Sequence, residues 1–204
     1  MAMNRRLGVL ISGRGSNLQA IIDAIEDGRL DAQITIVVSN KLDALGLDVA
    51  RRAGIDTVAF SHKKYPSREA FDVAVVDELK AHAVDLVCLA GFMRLLSPTF
   101  IAAFPNAILN IHPSLLPAFV GLNAQQQAWD YGVRASGATV HIVTAELDNG
   151  PIVRQAVVHI KDDDSSDTVA ARILVEEHRL YPEAIKIVLD GRWRIEGRRF
   201  VSEL

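Results

Sequence analysis

The sequence predicts an α/β fold: a parallel sheet with helices packed on both faces. Three observations carry that prediction. Segments with strand and helix patterning alternate through the first half of the chain. The run 84–90, Val-Asp-Leu-Val-Cys-Leu-Ala, is almost wholly apolar, as in strands covered on both sides. The 204 residues, 50% of them hydrophobic, can bury one sizeable core but fall short of what two independent domains usually need.

Taken in order, residues 7–12 read as a buried strand. Residues 17–26 show helical spacing in Leu18, Ile21, Ile22 and Ile25, and Gly28 suits the helix end. A second strand is expected at 33–38, then a helix at 44–52 stopped by Gly54, and a short strand at 57–60. Residues 67–82 make a long helix with Ser67 as its N-cap, although Ala70 stands where a capping box needs Glu or Gln. The strand at 84–90 follows. Strand 107–111 is short and runs into His-Pro-Ser-Leu-Leu-Pro, where two prolines impose a stiff, non-helical loop. A helix is expected at 122–131. Strands are expected at 137–143 and 152–159, around the turn-rich Glu-Leu-Asp-Asn-Gly-Pro. A long helix at 167–189 could bend at Pro182, and segments 192–195 and 199–201 could close as a hairpin through Glu196-Gly197. No repeat, low-complexity stretch or linker interrupts the chain. The reading is one domain over 1–204, with a change of role near Phe104.

Composition excludes several classes. The formal net charge of -3 speaks against a nucleic-acid partner, which usually calls for a basic patch. A small anion remains open, because backbone amides can bind one without net positive charge. The single Cys88 offers neither a disulfide framework nor a four-ligand zinc site and reads as core packing. No HExxH, CxxC or carboxylate cluster gives a metal a home. The run LGVLIS after MAMNRR is too short for a signal-peptide core. No stretch approaches the roughly 20 apolar residues of a membrane helix. The expected location is the cytoplasm, with no membrane partner.

Three segments could carry chemistry. Ser12-Gly13-Arg14-Gly15-Ser16-Asn17 joins a strand to a helix. Its glycines let the backbone approach a ligand, and the helix start aims free amides and a positive dipole end at it. Leu18 rules out the dinucleotide pattern GxGxxG, and no GK[ST] follows. The segment suits a phosphate; it also reads as a tight turn with Asn17 as helix cap. In the second segment, Asn110 and His112 lie two apart on a strand end and share a face. An amide donor beside an imidazole suits a developing oxyanion and proton transfer. Open α/β sheets hold ligands at such strand ends, yet a histidine there is often structural. In the third, Asp148 on a turn could orient His112 and favour its charged form, while Asp-Asn-Gly is equally good turn chemistry. His141 could face the same site or the core. Residues 162–166, Asp-Asp-Asp-Ser-Ser, read as a solvated loop and helix start, and Trp129 and Trp193 as packing.

Together, SGRGSNLQAI, LAGFMRLLSP, LNIHPSLLP, GATVHIVTAELDNGPI and EEHRLYP, in that order over about residues 7–190, make the chain similar to the phosphoribosylglycinamide formyltransferases of purine biosynthesis. LNIHPSLLP with a later Asp-x-Gly-Pro marks the wider folate-dependent formyltransferase group, and SGxGSN narrows the resemblance to the glycinamide ribonucleotide enzymes. The resemblance implies a Rossmann-like, mostly parallel twisted sheet with antiparallel strands near the C-terminus. It implies a phosphate-binding half over 1–104 and a catalytic, folate-binding half over 105–204. The implied reaction moves the formyl group of 10-formyltetrahydrofolate, a co-substrate, to the amine of 5-phosphoribosylglycinamide. It would proceed by direct attack and a tetrahedral intermediate, without a metal. Gly15, Ser16 and Asn17 would hold the phosphate and Glu177 the ribose or glycinamide part. Arg68, Met93, Arg94, Leu95 and Leu96 would line the folate site. Asn110 would contact the formyl oxygen, His112 would donate a proton, and Asp148 would raise its pKa. Partners would be small molecules only, with the chain a monomer or homodimer.

The chain also departs from that pattern. Where the family often reads Gly-Leu-His-x-His, this sequence has Gly121-Leu122-Asn123-Ala124-Gln125. Asn123 could hydrogen-bond Asp148 but cannot carry charge, so the pH optimum would differ. The stretch Pro-Ala-Phe-Val-Gly at 117–121 is locally similar to formyltetrahydrofolate hydrolase, the alternative reading, which uses water as acceptor. That hydrolase normally carries an N-terminal regulatory domain and lacks SGxGSN. Methionyl-tRNA and sugar-nucleotide formyltransferases would need a further C-terminal domain. A non-catalytic nucleotide-binding module would not need Asn110, His112 and Asp148 together.

Overall fold

The computed structural model describes residues 5–203. The reading of residues 1–4 as a plain lead into the first strand lies outside the described residues. The chain runs β1 (Arg6–Ile11), α1 (Ser16–Glu26), β2 (Gln33–Ser39), α2 (Gly46–Arg52), β3 (Thr57–Ala59), α3 (Arg68–Ala81), β4 (Leu86–Leu89), α4 (Pro98–Ala103) and β5 (Ile108–His112). It continues through α5 (Ala124–Tyr131), β6 (Ala135–Ile142), β7 (Ile152–His159), α6 (Ser166–Asp190), β8 (Trp193–Glu196) and β9 (Arg199–Ser202). The strands form one sheet in the order β3-β2-β1-β4-β5-β6-β7-β9-β8. Pairing is parallel from β3 to β5, antiparallel from β5 through β7 and within the β8–β9 hairpin, and parallel at the single β7–β9 register pair Ile152↔Arg199.

The topology creates a crevice. From β1 the chain moves outward to β2 and β3, then α3 carries it back past β1 to β4 and β5. Right-handed crossovers in opposite directions put α1 and α2 on one face and α3 and α4 on the other. Helix α6 packs along α1 and across β5, β6 and β7, and α5 packs on α6. Both faces are therefore covered, and Leu7, Val9, Leu10 and Ile11 of β1 are fully buried. The reversal between β1 and β4 is the point where open α/β sheets hold ligands. Tyr181 of α6 braces it: its fully buried hydroxyl donates to the carbonyls of Leu89 and Leu109, at 3.0 and 3.1 Å, on the adjacent strands β4 and β5. Cys88 is wholly buried beside it, and burial pushes its thiol well above the usual range, as a packing role requires.

Several boundaries differ from expectation. Helix α1 starts at Ser16 with Gly15, in the left-handed region at φ 80°, at the cap position, so Asn17 is not the cap. A Cβ on Gly15 would lie 2.6 Å from Gly46 Cα, so only glycine fits this approach. Strand β5 extends to include His112. Helix α5 starts two residues late because Asn123 takes a left-handed conformation. Helix α4 was not expected; six residues show no period, although Ser97 caps Phe100 N–H and Pro98 opens the first turn. Helix α6 runs through Pro182 as one element, started by a Ser165–Thr168 capping box. The last hairpin turns at Gly197-Arg198.

Candidate active site

Three strand ends supply the floor of the crevice. After β1, Ser12 ties the loop down: its Oγ donates to Asn40 Oδ1 at 2.5 Å and accepts from Met93 N–H at 2.8 Å, and its N–H donates to Gly91 O. The loop at 12–17 and the segment at 91–96 after β4 are thus linked by one hydroxyl. Helix α1 then begins with no side-chain cap and no acidic residue in its first turn. Its first amides keep the partial positive charge that attracts an anion. Asn17 is buried, and its Nδ2 donates to Glu177 Oε2 of α6 at 2.7 Å, while its Oδ1 has no partner among the described residues. Burial pushes the Glu177 carboxyl above its ordinary range, partly offset by the Asn17 donor.

On β5, Asn110 lies opposite His141 of β6 in the antiparallel register. His141 is buried and faces the crevice, which answers the question its sequence position left open. Burial holds its imidazole below the ordinary range, against the nearby Asp148 charge, and so favours the neutral ring. Its Nδ1 lies 2.9 Å from Ile142 O, so Nδ1 carries the proton and Nε2 accepts. Asn110 Nδ2 donates to that Nε2 at 3.2 Å. One N–H of the Asn110 amide is thereby used, and the second remains for a ligand.

His112 sits on the same face, its side chain 6% exposed. Its Nε2 donates to Phe119 O at 2.8 Å, and its Nδ1 lies 3.4 Å from Asp148 Oδ2. Both ring nitrogens thus face oxygen acceptors, one a backbone carbonyl and the other a carboxylate. Asp148 Oδ2 also accepts from Gly121 N–H at 2.8 Å, and its Oδ1 lies 3.8 Å from His141 Nε2. The bracing of Asp148 therefore comes from the Gly121 N–H; Asn123 instead opens α5, with its side chain making no cap hydrogen bond. Asp148 adopts a left-handed backbone at φ 48°, which aspartate tolerates better than most residues. Gly150 two residues on has no alternative: a Cβ there would lie 1.7 Å from Ile142 O.

The other expected residues divide. Met93 and Leu95 are exposed apolar groups, 62% and 56%, while Leu96 packs against the core. Arg94 turns inward, its guanidinium 4.7 Å over the Phe71 ring and its Nε buried without a partner among the described residues. Its side chain packs toward α3. Arg68 opens α3 one turn before Phe71, faces solvent and approaches Glu69 at 3.6 Å. Val120, Leu122 and Leu147, all exposed, add apolar surface around Asp148. Among the described residues no group of His, Cys, Asp or Glu is placed to hold a metal, and no helix is long and apolar enough to cross a membrane.

The chain is similar to known proteins over nearly all its length. A family described as Formyl transferase matches residues 5–185. The phosphoribosylglycinamide formyltransferase of Escherichia coli is 47% identical over 187 residues, 92% of this chain and 88% of that protein. The chain spans about a fifth (19%) of the trifunctional purine biosynthetic protein adenosine-3 of Bos taurus, at 46% identity over 93% of its own length. Among solved structures, glycinamide ribonucleotide transformylase 1 from Symbiobacterium toebii superposes with a TM-score of 0.94 at 55% identity, covering 96% of this chain and 92% of that one. A formyltetrahydrofolate deformylase from Pseudomonas syringae superposes with a TM-score of 0.90 but at 28% identity, covering 98% of this chain and 66% of its own. With a family match across 5–185 and the Asn110, His112 and Asp148 geometry at the strand ends, the chain belongs to the formyl transferase family.

Proposed function

We propose that this chain transfers the formyl group of 10-formyltetrahydrofolate to the amine of 5-phosphoribosylglycinamide, a step of purine biosynthesis. The observation that carries the reading is the convergence of Asn110, His112 and Asp148 at the end of β5, in the crevice that also holds the uncapped start of α1. The folate supplies an activated carbonyl carbon and a nitrogen that can leave it. The free amide N–H of Asn110 meets the carbonyl oxygen as it gains charge. His112 donates a proton toward the departing nitrogen, and the Asp148 carboxylate compensates the positive imidazolium. The proton lost by the attacking amine balances the one given to the leaving nitrogen.

Binding follows the same map. Gly15, Ser16 and Asn17 present helix-start amides to the phosphate, and Glu177 meets hydroxyl or amine groups beyond it. Met93 and Leu95, with Val120, Leu122 and Leu147, fit a flat aromatic donor, and Arg68 offers an exposed cation. Arg94 and Leu96 contribute backbone rather than side chains. In this reading the chain works in the cytoplasm, as a monomer or homodimer. The test is an absorbance assay for folate product, run with and without the ribonucleotide. Product that depends on the acceptor is expected. Product without it identifies a hydrolase, the reading favoured only by residues 117–121; none under either condition identifies a binding module.

A further inference from the structure

The loop at 144–150 carries Asp148 and borders an open cleft. A cavity of about 370 Å³ lies between it and the last hairpin, lined by Leu116, Pro117, Asp148, Ile152 and Phe200 among others. One side chain bridges the gap. Arg198, at the turn of the β8–β9 hairpin, donates through Nη2 to Asn149 O at 3.0 Å and to Asn149 Oδ1 at 2.7 Å. The amide of Asn149 has its other end on Glu146 Oε2, so both ends of that side chain are used. The hairpin that presents Arg198 is itself fixed. Arg199 pairs with Ile152 of β7, Trp193 stacks on Phe200 with centroids 5.0 Å apart, and Trp193 Nε1 donates to Val188 O of α6 at 2.9 Å. The exposed Arg198 guanidinium thus grips the residue that follows Asp148.

We infer that Arg198 is a positioning residue: through Asn149 it holds Asp148 in the left-handed backbone conformation from which its carboxylate faces His112. The need is specific. Residues with positive φ relax unless the surroundings over-determine them; at Asp148, φ 48°, the carboxylate is held by Gly121 N–H, while the loop borders an open cleft on the hairpin side. The two bonds from Arg198 to Asn149 span that cleft. The inference rests on the proposed role of Asp148 in formyl transfer.

The test uses the full chain with the variants Arg198→Ala, Arg198→Lys, Arg194→Ala and Asp148→Asn. Arg194 belongs to the same hairpin and pairs with Glu196 and Glu203, so it reports on hairpin stability alone. A displacement of about 1 Å at a reacting centre can cost up to a hundredfold in rate. For Arg198→Ala, kcat should fall on the order of tenfold with KM for the ribonucleotide unchanged. Arg198→Lys should recover part of the loss, and Arg194→Ala should match the unaltered chain. Wild-type kcat in Arg198→Ala, while Asp148→Asn is inactive, overturns the inference and leaves the proposed function standing. Equal losses in Arg198→Ala and Arg194→Ala, with parallel falls in Tm, also overturn it. An active Asp148→Asn removes the proposed function and this inference with it.

Discussion

Asn110 keeps one amide N–H for a ligand because His141 takes the other, and His141 can do so because burial favours its neutral form. His112 and Asp148 likewise orient one another. Losing one oxyanion donor in comparable acyl transfers costs about 2.7–4 kcal/mol. His112→Ala and Asp148→Asn should each lower kcat on the order of a hundredfold or more with the fold retained. Near-wild-type turnover in either, alongside an unchanged circular dichroism spectrum, would sink the roles given to them. His141 makes a separate prediction. Its folded pKa is depressed, so the unfolded chain takes up its proton first as pH falls, and the stability from a neutral His141 is present above the ordinary value of about 6.5 and lost below it. The stability advantage of the natural chain over His141→Asn in urea should therefore shrink as pH falls through that range. An advantage that is constant or grows would count against a neutral His141. The three polar residues were legible from their types and the two-residue spacing of Asn110 and His112. The side taken by His141 was not, because β6 is buried along nearly its whole length and lacks the alternation that separates a site face from a core face. The Gly121 N–H and Phe119 carbonyl were hidden too, since they depend on a positive φ at Phe119 that no local signal announces.

Elements succeed here where their termini carry chemistry. Ser67 and Ser165 cap α3 and α6 by the hydrogen bonds such residues make elsewhere. The start of α1 breaks the rule, and the absence of a capping side chain is what suits it to an anion. The hairpin between β6 and β7 is governed by crowding. Ile142 N–H donates to Pro151 O at 2.9 Å, and Gly150 passes so close to Ile142 O that no side chain fits. Gly150→Ala must displace the backbone next to Asp148. It should cost about 1–3 kcal/mol of stability, as overpacking does, and lower kcat at least tenfold. Urea unfolding and steady-state kinetics on the same preparation check both; a fully active, equally stable variant would contradict the crowding argument. The Asp-Asn-Gly turn was legible as a turn, but the reason for its glycine lies in a strand carbonyl that only the folded register brings near.

For the whole molecule, the alternating pattern sufficed for the α/β class and for most elements of the first half. Strand order did not follow from it. A run such as Leu86–Leu89, buried on both faces, pairs as readily at one place in a sheet as another by local pattern alone. The turn to antiparallel pairing after β5 came from family resemblance rather than periodicity, and the attachment of β9 to β7 had no sequence signal. That attachment nevertheless brings Arg198 to within reach of Asn149, while the reversal between β1 and β4 opens the crevice the site occupies.

The bond between Asn17 and Glu177 joins residues 160 positions apart. A ribosome adding about 5–20 residues each second needs on the order of ten seconds or more to cover that span. The loop proposed for phosphate is thus translated early and waits for its carboxylate partner until α6 has left the exit tunnel. Acceptor binding, on this reading, cannot template the nascent chain. It becomes available only as α6 docks, so competence for the ribonucleotide follows the synthesis and docking of that helix.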